Sequence, residues 1–527
     1  MTSIAYSPAH RALVYTTPTP MLFAEACPAS RQLPDGRVVV PFTLPNLQRL
    51  SARGLPVIEP MDADGYAWPG RFKPFGAQRT TANFLVLHKR ATVLSDMGTG
   101  KTNAALWAAD YLMDQQPGLK ALVVAPLSTL RRVWSDAVFQ GFLGKRKAVV
   151  LHGSAEQRLK LLDQDADFFV INHDGLGVGA ATSRGRMELR GFADALSQRS
   201  DIRLVIVDEV SAYRDASTRR HRIARILIGQ REYLWGMTGT PTPNGPLDAY
   251  GIAKLMNNCH GESMTSFRMR TMLQVSTFKW VPKAGSHEVV KAALSPTIRF
   301  AIEECVDLPE CTVQQREVEL SAEQAKAYKM MKQDLRLMVT RGEVNAANEA
   351  VLRMKLIQIS CGALYDAERK VHFLDCAPRL KELEEVIEEA HRKVIIFAPL
   401  TSVVDLLNTK LTKWSRAVIN GAVPDKQRSE IFRSFQDDVE PQLLIADPGT
   451  MSHGLTLTKA TTIVWYAPTD RTETYLQANK RIHRPGQDSK TTIVQIAATP
   501  IEREIFRRLE ANESLQGVVL KLAEDRL

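Results

Sequence analysis

From about residue 71 onward, short continuous apolar runs alternate with longer stretches of helical periodicity. Strands buried on both faces carry continuous Val, Ile and Leu runs, whereas strands with one solvent-facing side alternate apolar and polar residues. The pattern therefore predicts an α/β fold built on parallel sheets. In the first half of this region the predicted strands are residues 121–125, 148–151, 168–171 and 204–207.

The pattern changes between residues 250 and 375, where two segments combine helical periodicity with many Lys, Arg, Met and Leu residues. These segments, residues 321–339 and 346–359, are interpreted as helical insertions around the junction of two lobes. A second α/β unit begins near Arg379. Its predicted strands include residues 394–397, 443–446 and 462–465.

These changes of pattern predict three domains. Residues 1–70 are rich in proline and contain a short β-like run at 37–40, which indicates a small N-terminal accessory unit. Residues 71–312 are predicted to form a first α/β lobe with a helical insertion. Residues 313–527 are predicted to form a second lobe with an insertion of its own.

Composition and charge narrow the class of protein. Hydrophobic residues make up 44% and charged residues 24% of the 527 residues, as in ordinary soluble proteins. The formal net charge of +10 suits a polyanionic partner, because Lys and Arg gain free energy by displacing counterions from phosphates. The six cysteines form no C-x-x-C pair, which argues against a zinc ribbon. No apolar run approaches the roughly 20 residues of a membrane span, so we expect a soluble cytoplasmic protein without a membrane partner.

The strongest single motif is a glycine-rich segment between a β-like run at 91–94 and an apolar helical stretch at 103–112. A strand, a glycine-rich turn and a helix start form an anion site, because backbone N–H groups and the helix dipole face the phosphates. Lys101 would contact the β and γ phosphates of ATP, and the Thr102 hydroxyl would bind Mg²⁺. The predicted ATP-binding residues of this phosphate loop are Ser95, Asp96, Met97, Gly98, Thr99, Gly100, Lys101 and Thr102.

The apolar run at 204–207 ends in two carboxylates, Asp208 and Glu209. Asp208 would hold Mg²⁺, and Glu209 would orient and deprotonate the attacking water. Both residues lie in the same predicted lobe as the phosphate loop, which favours a shared catalytic site.

Three further segments extend the pattern. Residues 126–134 read P-L-S-T-L-R-R-V-W, residues 238–241 read T-G-T-P, and residues 477–487 read Q-A-N-K-R-I-H-R-P-G-Q. With these segments the chain resembles the superfamily 2 helicases of the Swi/Snf-like DNA translocase family. The G-L-T-L-T run at 454–458 is most similar to the annealing-helicase-like subgroup. The resemblance covers about residues 71–510, including residues 393–399.

The resemblance implies two RecA-like parallel-sheet lobes and an ATP-driven motor on double-stranded DNA, with ATP and Mg²⁺ as cofactors. It assigns adenine recognition to Gln78, since residues 74–78 are similar to the Q motif. It also places Gln477, Arg481 and Arg484 among the catalytic residues, because they match the pattern Q-A-x-x-R-x-x-R-x-G-Q. The two arginines, three positions apart on a predicted helix, would present both guanidiniums on one face and act as arginine fingers.

Some features depart from the family pattern or stay open. Ser95 stands where the first glycine of the phosphate loop is usual, Val210-Ser211 replaces the A-H of D-E-A-H, and Ser452 replaces a common glycine. An RNA or DNA strand-separating helicase is the alternative within the superfamily. A nucleic-acid-binding scaffold with a degenerate ATP site is the alternative outside it, and the presence of every residue assigned to hydrolysis disfavours it. A basic run fits either a solvated helix face or a phosphate contact: Arg214, Arg219, Arg220, Arg222 and Arg225.

Overall fold

The computed structural model divides into two compact units, Met1–Cys305 (unit 1) and Val306–Leu527 (unit 2). The residues that it describes are 2–70, 73–183, 186–276, 279–305, 307–340, 346–366, 368, 370–451 and 456–511. Each unit contains a parallel sheet with helices around it, so the predicted α/β fold class is confirmed. Within these ranges, no helix has the length and apolarity required to cross a membrane.

The N-terminal part of unit 1 is an antiparallel sheet of four strands, accompanied by three short helices. The strands pair in the order β1-β2-β4-β3. Burial alternates along them, so that one face holds a small core that includes Leu13, Tyr15, Val38 and Val40. The elements are β1 Ser3–Ser7, β2 Ala12–Thr16, α1 Pro20–Ala26, β3 Arg31–Gln32, β4 Val38–Pro41, α2 Leu44–Ala52 and α3 Pro60–Ala63.

The rest of unit 1 is built on seven parallel strands in the order β15-β5-β12-β11-β6-β8-β7, and two antiparallel pairs, β9–β10 and β13–β14, form separate two-stranded sheets. All four strands predicted in this region are present. The strands are β5 Arg90–Val93, β6 Lys120–Ala125, β7 Ala148–Val150, β8 Phe168–Asn172, β9 Ala180–Ser183, β10 Arg186–Leu189, β11 Ile202–Asp208, β12 Tyr233–Met237, β13 Met272–Ser276, β14 Lys279–Pro282 and β15 Thr297–Ile298.

Helices cover both faces of this sheet, which explains the continuous apolar runs. Successive residues of β6 enter opposite cores: Leu122 and Val124 lie in one cluster, and Val123 and Ala125 lie in the other. The helices are α4 Gly76–Leu87, α5 Lys101–Gln115, α6 Asp136–Phe142, α7 Ala155–Leu162, α8 Phe192–Gln198, α9 Arg219–Leu227, α10 Asp248–Met256, α11 Met264–Thr271 and α12 Ser286–Leu294.

Unit 2 contains six parallel strands in the order β16-β23-β22-β19-β21-β20 and the hairpin β17–β18. The two segments predicted as long helices form α13 and α14. Its strands are β16 Cys311–Glu317, β17 Ala363–Tyr365, β18 Val371–Phe373, β19 Lys393–Phe397, β20 Arg416–Ile419, β21 Leu443–Ala446, β22 Ala460–Trp465 and β23 Thr491–Ala497. Its helices are α13 Ala322–Thr340, α14 Ala346–Cys361, α15 Ala377–Glu389, α16 Thr401–Lys410, α17 Asp425–Asp437, α18 Thr472–Asn479 and α19 Pro500–Glu510.

A fully buried ion pair joins helices of unit 2 to its sheet. The side chains of Arg379 in α15 and Glu502 in α19 are 1% and 0% exposed. The Nη2 atom of Arg379 donates to both carboxylate oxygens of Glu502, at 2.7 and 2.8 Å. The Nη1 atom of Arg379 donates to the backbone carbonyl of Tyr466, the residue directly after β22. Ser360 of α14 donates to Glu502 as well. Burial alone lowers the pKa of Arg379, but the Glu502 carboxylate outweighs this effect and the pKa is raised.

Glu502→Gln should therefore destabilise unit 2 strongly. The substitution leaves the Arg379 charge buried without its counter-charge, a loss that costs about 3–5 kcal/mol. Glu385→Gln is the control, because it removes the partner of Lys381 from an exposed i,i+4 pair, where we expect at most about 0.5 kcal/mol. Hydrogen exchange of the β19 and β22 amides in increasing denaturant reports the stability of unit 2 separately. Equal losses in the two variants would contradict this account.

Candidate active site

The predicted residues of unit 1 meet at one edge of its sheet because their strands are neighbours. β12 lies between β5 and β11, and all three run parallel. In the register of the sheet, Val93 pairs with Met237 and Met237 pairs with Asp208. The phosphate loop after β5, the T-G-T-P run after β12 and the carboxylates that end β11 therefore share the carboxyl edge.

Positive backbone φ angles shape the phosphate loop. Gly98 and Gly100 have φ of +85° and +73°, a region that glycine enters without penalty, and α5 begins at the next residue, Lys101. The Lys101 ammonium donates to the carbonyls of Ser95 and Asp96 at 2.7 and 2.8 Å. The lysine thus lies against the loop at the start of a helix, where anions are bound.

Ser95, which stands where glycine is usual, connects the phosphate loop to the edge strand of the sheet by a hydrogen bond. Its hydroxyl is buried and accepts a hydrogen bond from the backbone N–H of Phe300, just after β15, at 3.0 Å. The Asp96 N–H donates to the Phe300 carbonyl at 3.0 Å. Thr99 is also buried, and its hydroxyl donates to the Asp96 carbonyl at 2.8 Å.

Met97, Thr102 and Gln78 surround the same loop. A Cβ built on Gly239 of the T-G-T-P run would lie 3.5 Å from Met97, which places that run beside the loop. Thr102 lies half-buried in the first turn of α5. Gln78, buried in the first turn of α4, donates from Nε2 to the Gly100 carbonyl at 3.4 Å, and its Oε1 accepts from the Phe75 N–H at 3.2 Å. Adenine recognition by Gln78 stays a prediction.

The carboxylates of Asp208 and Glu209 accept hydrogen bonds from different donors. Asp208 accepts from the Trp134 indole Nε1 at 3.0 Å and from the Glu209 N–H at 3.1 Å. Burial raises the pKa of Asp208, and the Trp134 indole and the Lys101 charge oppose that shift. Glu209 has a φ of +51°, which turns the chain out of the strand, and its Oε2 accepts from the Thr238 hydroxyl at 3.2 Å.

The side-chain oxygen atoms at this edge of the sheet fit Mg²⁺ as ligands. A carboxylate keeps acceptor sites on both oxygens after accepting two hydrogen bonds, so Asp208 retains lone pairs for a cation or for its water shell. Mg²⁺ prefers oxygen ligands and in phosphate-transfer sites takes one or two carboxylates together with substrate phosphates. Asp208 and the Thr102 hydroxyl supply such ligands. ATP and Mg²⁺ are therefore compatible with the residues at this edge.

The sequence alone predicted no hydrogen bonds for three residues of this site, Trp134, Phe300 and Thr238. Trp134 was part of a motif, but nothing local indicated its contact with Asp208, 74 positions away. Phe300 carries no motif, and its bond to Ser95 spans 205 positions. Thr238 was recognised as part of T-G-T-P, yet its bond to Glu209 emerges only from the adjacency of β11 and β12.

Gln477, Arg481 and Arg484 lie in unit 2, and one prediction about them is wrong. Helix α18 ends at Asn479, so the two arginines do not share a helix face but lie in the turn that follows. Pro485 accounts for the non-helical backbone at Arg484, because a proline disfavours helical backbone at the preceding residue. Gln477 and Arg481 are buried and Arg484 is half-buried. The Gln477 amide donates to Glu473 at 3.2 Å, and the Arg481 carbonyl accepts from the Leu457 N–H at 3.1 Å.

The basic run after β11 divides between two roles. Arg219 donates to the Ala180 carbonyl at 2.6 Å, and Arg220 pairs with Asp174 at 2.7 Å. Arg222 and Arg225 are exposed on α9. Part of the run is therefore engaged by the protein itself, and phosphate contact by the run stays a prediction. In the second-lobe motif, Ser452, Gly454 and Leu455 lie outside the described residues.

Comparison with protein families decides the affiliation of the chain. Residues 77–362, which are 286 of the 527 residues, match the SNF2-related domain. The chain belongs to the SNF2-related family. Residues 378–486 match the helicase conserved C-terminal domain. This SNF2-related protein is accordingly a helicase-like ATPase.

The relatives of this SNF2-related protein differ in length. It is 24% identical to protein p41 of Acyrthosiphon pisum secondary endosymbiont phage 1, with 85% of this chain and 98% of p41 aligned. It is 24% identical to YwqA of Bacillus subtilis, named as an ATP-dependent helicase/translocase, over 86% of this chain and 49% of YwqA. The SWI/SNF-related matrix-associated actin-dependent regulator of chromatin subfamily A-like protein 1 of Xenopus laevis is 23% identical, over 81% of this chain and 42% of the frog protein. The chain thus spans less than half of these last two proteins.

Among solved structures, the Sulfolobus solfataricus SWI2/SNF2 ATPase core in complex with dsDNA is 18% identical to this SNF2-related protein. The TM-score is 0.38, and the alignment covers 84% of this chain and 92% of that one.

Gly100→Ala should weaken ATP binding by this SNF2-related protein. The new Cβ would lie 1.9 Å from the Gln78 amide nitrogen, so the Gln78 side chain and the loop must move apart. We expect ATP affinity to fall on the order of tenfold, the size of one lost hydrogen bond to a charged group. Gly118→Ala is the matched control, since Gly118 also has positive φ (+82°) but open space around it. Both variants should lose about 1–2 kcal/mol of stability, and calorimetric titration with ATP should separate them. An unchanged affinity in Gly100→Ala would argue against a nucleotide at this loop.

Proposed function

We propose that this SNF2-related protein is an ATP-dependent translocase that moves along double-stranded DNA. The observation that carries the proposal is the convergence of Lys101, Asp208 and Glu209 at one strand edge of unit 1, described above. In this proposal residues 71–312 and 313–527 are the two lobes of the motor, and residues 1–70 are an accessory unit.

Each residue of the edge has a distinct part in hydrolysis. Lys101 and the loop N–H groups bind the β and γ phosphates, and the bond from Gln78 to Gly100 holds the loop in place. Asp208 and Thr102 hold Mg²⁺, which when bound neutralises charge that develops on the phosphates. Glu209 accepts a proton from the attacking water, and Thr238 orients the Glu209 carboxylate through its hydrogen bond.

Gln477, Arg481 and Arg484 are assigned catalytic roles on the family pattern. An arginine presents a planar fork of donors that can grip two phosphate oxygens, which suits the stabilisation of a transferring phosphoryl group. Burial of Gln477 and Arg481 supports a defined position for the motif, because a buried guanidinium has few alternative conformations.

Double-stranded DNA is the proposed partner, with RNA as the alternative. The net charge of +10 favours a nucleic acid, and the Q-A-x-x-R-x-x-R-x-G-Q match favours the translocase group over strand-separating helicases. The name of YwqA as a helicase/translocase supports the same activity. The exposed Arg222 and Arg225 are candidates for backbone contacts. A motor that binds phosphates has no means of reading base edges, so no sequence preference is expected.

Duplex DNA should raise the rate of ATP hydrolysis, and ATP should drive displacement of the third strand from a DNA triplex. Affinity for duplex should fall steeply with salt, because each phosphate contact releases counterions. Glu209→Gln is the control for the motor: it should bind ATP normally but neither hydrolyse it nor displace the strand. Unwinding of a duplex, or stimulation by single strands or RNA alone, would identify a strand-separating helicase instead. A rate indifferent to every nucleic acid would overturn the proposal and favour a scaffold.

Arg484→Ala should lower turnover without lowering ATP affinity. If Arg484 acts only on the transition state, the duplex-stimulated rate should fall by on the order of 10³-fold, and Arg484→Lys should rescue it poorly. Arg392→Ala is the control, since Arg392 forms an exposed pair with Asp488 and precedes β19 at the amino edge of the sheet. Circular dichroism checks that each variant is folded. Near-normal stimulated rates in Arg481→Ala and Arg484→Ala would exclude an arginine-finger role.

A further inference from the structure

A cavity of about 870 Å³ lies in unit 1 between helix α2 and the amino ends of strands β5 and β12. Lys89 directly precedes β5 and Tyr233 is the first residue of β12, so both lining residues belong to the amino edge of the sheet. The phosphate loop follows the carboxyl end of β5 and lies at the opposite edge. The cavity is therefore separate from the nucleotide site, and its volume is within the range of about 300–1,000 Å³ typical of small-molecule pockets.

Contacts between α2 and α4 fix the two sides of the cavity relative to each other. Gln48 of α2 is buried, and its Nε2 donates to the Val86 carbonyl of α4 at 2.8 Å. Leu44 of α2 packs against one core of the seven-stranded sheet, whereas Leu87 of α4 packs against the small N-terminal core. A ligand would therefore bind without having to bring the two sides together, which removes one of the ordinary costs of binding.

The cavity combines apolar surface with positive charge. Its apolar surface comes from Phe42, Leu44, Leu47 and Leu87. Its charged lining residues are four cations and two carboxylates, which gives a net charge of +2: Arg11, Arg49, Lys89 and Arg90 against Asp64 and Glu232. His88 adds no charge at neutral pH, because burial lowers the pKa of its imidazole. Apolar walls and an excess of cations favour a ligand that has an apolar body and an acidic group.

Both carboxylates of the lining are already engaged by cations of the protein. Asp64 accepts a hydrogen bond from Arg11 at 2.9 Å. Glu232 accepts from Lys89 at 2.8 Å and from Arg203, which lies outside the lining, at 3.3 Å. The negative charges are therefore neutralised locally, and they do not attract a cation into the cavity.

Two donors of the lining are left for a ligand. Arg90 donates to three backbone carbonyls, but the exposed Arg49 guanidinium, in the last turn of α2, forms no hydrogen bond or ion pair with any residue that the structure describes. Tyr233 is 1% exposed, and its hydroxyl oxygen accepts from Gln48 Nε2 at 3.3 Å and from Gln116 Nε2 at 2.9 Å. The hydroxyl proton is then left for an acceptor that the described part of the chain does not supply. An anionic oxygen fits this position, because a buried donor is costly to leave without an acceptor.

We propose that this cavity binds a small organic anion, whose apolar or aromatic body covers Phe42 and Leu47 and whose acidic group accepts from the Tyr233 hydroxyl in the field of Arg49. A carboxylate, a sulfonate or a phosphate monoester serves equally as the acidic group, because each is an anion with oxygen acceptors. The inference goes beyond the proposed function and does not depend on it, since none of the lining residues is assigned to ATP or DNA.

The probe is anilinonaphthalene sulfonate, an aromatic anion that becomes fluorescent in apolar surroundings. It should bind the wild-type protein at a saturable site. Tyr233→Phe should raise the dissociation constant of the probe about tenfold, because the sulfonate loses one hydrogen bond to a charged group. Tyr15→Phe is the matched control, since Tyr15 is also buried, donates to the Pro56 carbonyl at 2.8 Å and lies outside the cavity. In the control the dissociation constant should stay at the wild-type value.

Arg49→Gln should raise the dissociation constant about two- to fivefold, the effect of one exposed ion pair, and the difference should shrink in high salt. Arg53→Gln is its control, since Arg53 directly follows α2, is exposed and lies outside the cavity. This pair of variants changes only exposed side chains, so it tests the site even where Tyr233→Phe disturbs folding. Equal dissociation constants in Arg49→Gln and Arg53→Gln, or in folded Tyr233→Phe and Tyr15→Phe, would overturn the proposal.

Competition identifies the kind of occupant. Inorganic phosphate at the concentration of the probe should not displace it, because phosphate has no apolar body to bury. Duplex DNA should not displace it either, since backbone phosphates on a rigid helix present no apolar group to the walls of the cavity. Displacement by phosphate would reduce the cavity to a simple anion site, and displacement by duplex would assign it to nucleic acid; either result would overturn the proposal. A protein whose ATP hydrolysis duplex does not stimulate would refute the proposed function instead and leave this titration unaffected.

Discussion

Burial of the parallel sheet on both faces is the constraint that organises unit 1. Because residues of each strand alternate between two apolar cores, a charged side chain has no solvated place along the strand. Polar chemistry is therefore confined to strand ends. Asp208 is the last residue of β11, Thr238 directly follows β12, and the phosphate loop follows β5. The same packing that supplies the stability of the sheet thus gathers the reacting groups at its carboxyl edge.

Unit 2 shows one arrangement under which charge is accepted inside such a fold. The Arg379 guanidinium and the Glu502 carboxylate are desolvated together, and neighbouring donors and acceptors meet most of their remaining hydrogen-bonding groups. Such a pair contributes little net stability compared with apolar residues, but each half is indispensable to the other. The pair fixes where α15 and α19 lie on the sheet. It thereby sets the shape of the core of unit 2, the unit that also carries the arginine motif.

The sequence sufficed for features encoded locally. The strands were predictable from apolar runs, and the phosphate loop from glycines followed by Lys101, because both depend on neighbouring residues. The end of α18 at Asn479 was not predicted, because the two arginines were assigned to a helix from their spacing in the motif. The bonds from Trp134 to Asp208 and from Ser95 to Phe300 depend on the order of strands in the sheet. One chain offers no local signal for that order, so these contacts required the structure.

The shortest strand of the seven-stranded sheet, β15, affects the integrity of the phosphate loop. β15 has only two residues, yet the segment around it accepts hydrogen bonds from the N–H groups of Thr92, Leu94 and Asp96 through the carbonyls of Pro296, Ile298 and Phe300. A chain cut before Pro296 would turn β5 into an open edge with three unsatisfied donors. Open edges recruit strands from other molecules. The nucleotide-binding strand is thus shielded from self-association by residues that lie some 200 positions beyond it in the chain.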